Sequence, residues 1–186
     1  MVFITLHEIF DILLMTFVIG FIFSSFIRPK PRDILDYYKS NMWNDIKYGI
    51  IIAAPAVVLH ELSHKFMAMS FGATATLHAP YSMYAIVILM KLVNFPIMFF
   101  VGGYVSHTAL PALQSSFVAL AGPLINLLIW LVILLLVKTS SVNKKYYNIL
   151  VPAAKLNMFL FIFNMIPIPG FDGYGFLQGL FQAFVR

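Results

Sequence analysis

His60 and His64 stand four residues apart, with Glu61 beside the first, in the stretch VVLHELSHKFMAM at Val57 to Met69. The order is His-Glu-x-x-His. On a helix, positions four apart share a face, so both imidazoles reach one ion. Glu61 is turned away by about 100° and is placed to hold a water rather than to ligate. Two imidazoles suit zinc, which in catalytic sites takes three protein ligands and leaves one position open. A Glu61–Lys65 pair at i,i+4 is the simplest rival explanation for charge in so oily a run.

A third ligand is needed, and the sequence narrows it by exclusion. There are no cysteines, so thiolate ligands and disulfides are both excluded. No Asp or Glu occurs between Glu61 and Asp172, and none follows Asp172. A glutamate about 20 residues downstream is therefore ruled out. Met67 and Ser70 stand where an HExxHxxGxxH pattern requires Gly and His. Asp172 lies in FNMIPIPGFDGYG, where Pro167, Pro169 and Gly170 interrupt an apolar segment. A plain Asp-Gly turn is the alternative for it. His7, Glu8, Asp11, His78 and His107 are weaker ligand candidates, better suited to roles at helix ends and in loops.

The elements that must position these groups lie in a bilayer. The chain has 186 residues, 61% hydrophobic and only 10% charged. A soluble domain carries roughly a quarter charged residues. The composition therefore predicts an integral membrane protein, and the net charge of +5 fits Lys and Arg at membrane edges. No basic patch with interleaved aromatics occurs, which argues against nucleic-acid binding. An ionised group at mid-membrane costs about 2.5–3.5 kcal/mol, and a bound metal accounts best for that cost here.

Residues 1–186 are expected to form a single membrane-embedded domain, all-α and polytopic. It has about four transmembrane helices and a membrane-associated β-hairpin. Spans of about 20 apolar residues fall at 1–27, at 46–71 with the His-Glu motif, at 117–137, and at 149–185, where the last is broken by the Asp-Gly. Gly72 ends the second span, and Pro55 is expected to kink it. Residues 73–115 are apolar but hold Lys91, Asn94, Pro96 and Gly102-Gly103. Charge decides how to read them. The loops Arg28 to Lys47 and Lys138 to Lys145 are both basic, and they share a face only if an even number of spans separates them. The positive-inside rule thus favours a re-entrant β-hairpin over a further span.

HELSH at His60–His64, GGYV at Gly102–Val105, AGPLIN at Ala121–Asn126 and NMIPIPGFDG at Asn164–Gly173 occur in that order. Through these motifs, over about Ile46 to Arg186, the chain resembles the site-2 proteases, which are intramembrane zinc metalloproteases. The resemblance implies hydrolysis of peptide bonds in transmembrane or membrane-proximal segments of other membrane proteins. It implies His60, His64 and Asp172 as ligands of Zn2+, Glu61 as general base, and Asn164 as a catalytic group steadying the transition state. It further implies substrate-binding roles for Asn126 and for Gly102 and Gly103. The lipid bilayer is the medium, and the cell membrane of a prokaryote is the expected location. Ser63 stands where the family usually has Gly, and DGYG lacks the basic or His residue often found after the Asp-Gly. Without PDZ or nucleotide-sensing modules, the chain resembles a minimal member. The competing class is a metal-binding transporter or an inactive membrane adaptor. A transporter would show repeats or several intramembrane acids, and an adaptor would usually have lost Glu61.

Overall fold

The structure is a computed structural model that describes residues 3–27, 41–95 and 102–185. Most of the first basic loop and Pro96 lie outside the described residues. The elements run α1 (Leu6–Ile27), α2 (Met42–Ser70), β1 (Ala75–His78), α3 (Tyr81–Leu92), β2 (Tyr104–His107), α4 (Ala112–Lys138), α5 (Tyr147–Asn164) and α6 (Asp172–Phe184), with one turn of 3-10 helix at Lys144–Tyr146 before α5. Four helical stretches among the described residues are long and apolar enough to cross a membrane: Leu6–Ser24, Met42–Ser70, Ala112–Lys138 and Lys144–Asn164. Their outward Leu and Phe residues are exposed, such as Leu128, Leu135 and Phe159. That surface suits hydrocarbon.

Local chemistry sets the helix ends. Thr5 and Glu8 form a capping box at the start of α1: the Glu8 N–H donates to Thr5 Oγ1 (3.2 Å), and the Thr5 N–H donates to Glu8 Oε2 (2.8 Å). Asn41 caps α2 by accepting from the Trp43 N–H at 3.0 Å. Gly72 ends α2 at φ +85°. The Gly72 and Ala73 N–H groups return to the carbonyls of Met69 and Ala68, the Schellman pattern that favours glycine. The helix runs on through Pro55, because a proline removes only one rung of a long ladder whose flanks are packed.

α2 is the hub, in contact with α1, α4, α5 and both strands. Small residues let α1 approach it closely. A Cβ on Gly49 would strike the backbone of Gly20, at 3.1 Å from its Cα, a close crossing typical of membrane helices. Met15, Ile19 and Ile22 of α1 meet Ala53 and Val57 of α2, with Leu77 and Val87 closing the core.

The strands pair antiparallel, with Ala75 opposite His107 and Leu77 opposite Val105. Their connection differs from a simple hairpin. Part of the stretch that reads as strand from its Ile, Val and Tyr content forms the helix α3. Tyr84 and Val87, three apart, are its buried face. Lys91 at its end docks on α1, donating to the carbonyls of Phe21 and Ile22 and to Ser24 Oγ (2.7 Å). At 12 residues it is about 18 Å long, too short to cross a ~30 Å core. The even number of spans between the basic loops is thereby kept.

Candidate metal centre

Three elements bring the site together. α2 carries His60 and His64 on one face, α4 packs behind them, and the first turn of α6 delivers Asp172. The placement of Asp172 depends on the glycine after it. A Cβ on Gly173 would lie 2.8 Å from the Cα of Met165, so the chain turns tightly against the end of α5. Gly170, at φ +98°, makes the preceding turn.

The candidate ligand atoms form a small triangle. His60 Nε2 and His64 Nε2 are 3.1 Å apart, and Asp172 Oδ2 lies 3.0 Å and 3.4 Å from them. A tetrahedral ion with bonds of about 2.0–2.1 Å needs edges of about 3.3 Å. Both rings are held by their other nitrogen. His60 Nδ1 is 2.6 Å from Asn126 Oδ1, and His64 Nδ1 is 2.7 Å from the Val118 carbonyl. Both partners accept, so each Nδ1 carries its proton and each Nε2 keeps a lone pair for a cation. Gly122 on α4 faces the rings, where a Cβ would lie 2.7 Å from His60 Nε2. The bare backbone leaves the room that an ion needs. His60, His64 and Asp172 are the one group among the described residues with three such ligand atoms together, and they fit a divalent metal.

The other expected site residues fall around this triangle. Glu61 is buried beside it and accepts a hydrogen bond from the backbone N–H of Gly103. Lys65 is not its partner: Lys65 pairs with Glu8 of α1 instead, so the i,i+4 ion pair weighed as a rival to metal is not formed. Gly102, Gly103, Val105 and Asn164 line a cleft of about 560 Å³ that opens onto His60, His64 and Asp172. Asn164 is the last residue of α5. Asn126 lies elsewhere, wholly buried behind His60. Its Nδ2 donates to the Ala56 carbonyl (3.0 Å) and to Asn157 Oδ1 (2.9 Å), and Asn157 in turn donates to the Ala153 carbonyl (2.8 Å). Ser63 Oγ donates to the Leu59 carbonyl one turn back (2.7 Å), so its hydroxyl is satisfied within α2.

Of the weaker ligand candidates, His7 is near Asp11 (3.7 Å), and His78 bonds Ser106 Oγ (2.9 Å) on the sheet. His107 lines the cleft, with Nδ1 donating to the Thr108 carbonyl (2.9 Å). Glu8 does serve a helix end, in the capping box of α1, and both Glu8 and Asp11 are almost fully buried. Sequence reasoning missed Gly122 and the Val118 carbonyl. AGPLIN signals a tight approach by α4 through its small residues, but not what is approached.

Three proteins similar to this chain are named as zinc metalloproteases. MJ0611 of Methanocaldococcus jannaschii is 31% identical over 169 residues, which cover 90% of this chain and 81% of the relative. MJ0392 of the same organism is 29% identical over 76% of this chain and 37% of the relative. Rip2 of Mycolicibacterium smegmatis is 30% identical over 66% of this chain and 53% of the relative. The chain thus spans about a third and a half of the latter two. No protein-family model matches the chain, and no solved structure matches it.

Proposed function

The chain belongs to the zinc metalloprotease family of these relatives, with Zn2+ as its cofactor, and we propose that it is an intramembrane protease of the site-2 type, cutting transmembrane or membrane-proximal segments of other membrane proteins in the cell membrane of a prokaryote. His60, His64 and Asp172 hold the metal. The observation that carries this reading is the triangle of 3.0, 3.1 and 3.4 Å formed inside a bundle of membrane-spanning helices, with a buried glutamate at its side.

Zinc, when bound, polarises the scissile carbonyl and acidifies the attacking water. Glu61 takes the proton from that water and passes it to the leaving amine. The Gly103 N–H orients the Glu61 carboxylate. Asn164 has no side-chain hydrogen bond among the described residues and faces the cleft, so its amide is available to donate to the developing oxyanion. A helical substrate has every backbone group paired and must unwind locally to expose a carbonyl. The outer edge of β2 borders the same cleft and offers an extended segment a strand to pair with.

The test is cleavage of a single-span substrate in proteoliposomes by wild type and Glu61→Gln, with zinc measured in both. We expect equal zinc content and a loss of at least ~100-fold in kcat for the variant. Equal cleavage would refute the role of Glu61, and a folded, unchelated wild type without zinc would refute the whole reading.

A further inference from the structure

The two edges of the small sheet are treated differently by the rest of the protein. Thr108 N–H donates to the Thr74 carbonyl (3.0 Å), so 74 and 108 are a hydrogen-bonded pair. By alternation, the backbone groups of Leu77 on β1 and of Val105 and His107 on β2 point away from the partner strand. On β1 the outward N–H groups at its α1-facing end are taken. The Leu77 N–H donates to Glu8 Oε1 (2.8 Å), and the Ala79 N–H just beyond the strand donates to Asp11 Oδ2 (3.3 Å). Asp11 Oδ1 also accepts from the Tyr81 hydroxyl. On β2 no described strand lies beyond the outer edge, and that edge lines the cleft at Val105 and His107.

Of the two carboxylates that meet β1, Glu8 is also tied to the metal helix. Lys65, the residue after His64, pairs with Glu8 Oε1, while Glu8 Oε2 is held by the Thr5 N–H (2.8 Å). Glu8, Asp11 and Lys65 are 1%, 0% and 1% exposed. Burying three ionisable groups is costly, and a contact that served packing alone would be as well made by apolar side chains. What apolar side chains cannot do is accept from the outward N–H groups of a strand edge.

We propose that Glu8 and Asp11 are positioning residues: they occupy the outward N–H groups along the inner edge of the sheet, and Glu8, through Lys65, clamps that edge to α2, so that an unwound substrate pairs only with β2 at a fixed distance from the metal. This rests on the intramembrane-protease reading. The clamp sets where the docking edge lies and touches neither the metal nor the scissile bond. Its loss therefore weakens docking more than turnover.

The test uses the double variant Glu8→Leu/Lys65→Leu, which removes both partners and leaves no unpaired buried charge. Zinc content, kcat and KM are measured on the single-span substrate, and amide hydrogen exchange is followed at Leu77 and Ala79. We expect unchanged zinc, a KM raised roughly tenfold, about the worth of one or two backbone hydrogen bonds, kcat changed by less than about threefold, and faster exchange at Leu77. Glu8→Gln keeps an acceptor for the Leu77 N–H and is expected to recover most of the KM. A double variant that cleaves with unchanged KM, that loses zinc and kcat together with KM, or that leaves Leu77 exchange unaltered overturns the clamp. Zinc-loaded wild type that fails to cleave overturns the protease reading and the clamp with it.

Discussion

Replacing Gly122 with alanine sets two effects of opposite sign against each other. A methyl at this position would lie 2.7 Å from both Nε2 and Cε1 of His60, and closer still to His64 Nε2. Ordinary contact is about 3.5 Å, so the rings or the helix must give way by at least ~0.8 Å. Metal–ligand distances tolerate only about 0.2 Å. Disturbing one ligand to that extent is expected to weaken zinc binding at least ~100-fold, or about 2.7 kcal/mol. In the opposite direction, Gly to Ala inside a helix gains about 0.5–1 kcal/mol, and strain in the neighbouring packing takes back an amount of the same order. The metal-free protein should therefore unfold within a few degrees of wild type, while the zinc Kd rises steeply and cleavage is lost. Competition with a chelator gives the Kd, and thermal unfolding in excess chelator gives the stability of the metal-free form. A Kd within about threefold of wild type, with cleavage intact, would refute the placement of α4 against the two imidazoles.

Asn126→Leu removes the acceptor 2.6 Å from His60 Nδ1 and should weaken zinc binding ~10–100-fold, with the protein still folded; zinc retained at fixed chelator reads this directly. Lys91→Met withdraws a cation from the Phe21 and Ile22 carbonyls of α1 and from Ser24 Oγ, and should cost about 1–2 kcal/mol, seen as a lower Tm with zinc content unchanged.

Signals carried by neighbouring residues were legible in the sequence, and those carried across the fold were not. The His-Glu-x-x-His spacing forces two ligands onto one helix face whatever surrounds it. The lone acidic residue beyond the motif pointed to Asp172, and the structure brings its carboxylate to the two imidazoles. The four apolar segments follow from bilayer thickness and are present in the fold as four helical stretches long enough to cross it. Other features depend on partners distant in sequence. Lys65 has Glu61 four residues before it, yet it reaches Glu8, 57 positions away, because α1 crosses α2 closely at Gly20 and Gly49. The connection between the strands was misread for a related reason. Its Ile, Val and Tyr residues favour strand locally, but Tyr84, Val87 and Lys91 are recruited by α1 and the core at helical spacing. The Thr5–Glu8 capping box was a local signal that could have marked the start of α1, though not the second task of Glu8.

The Asp172 carboxylate comes from the short helix α6, which rests on α4, while the two imidazoles belong to α2. On the proposed ligand set the ion is therefore also a fastener, closing a chain loop of roughly a hundred residues whose entropic cost grows only slowly with length. A cation at 100 times its Kd adds about 2.7 kcal/mol to the folded state. Stripping it loosens the far end of the chain as well as halting chemistry, so protease sensitivity around Pro169 to Gly173 becomes a gauge of metal loading that needs no substrate.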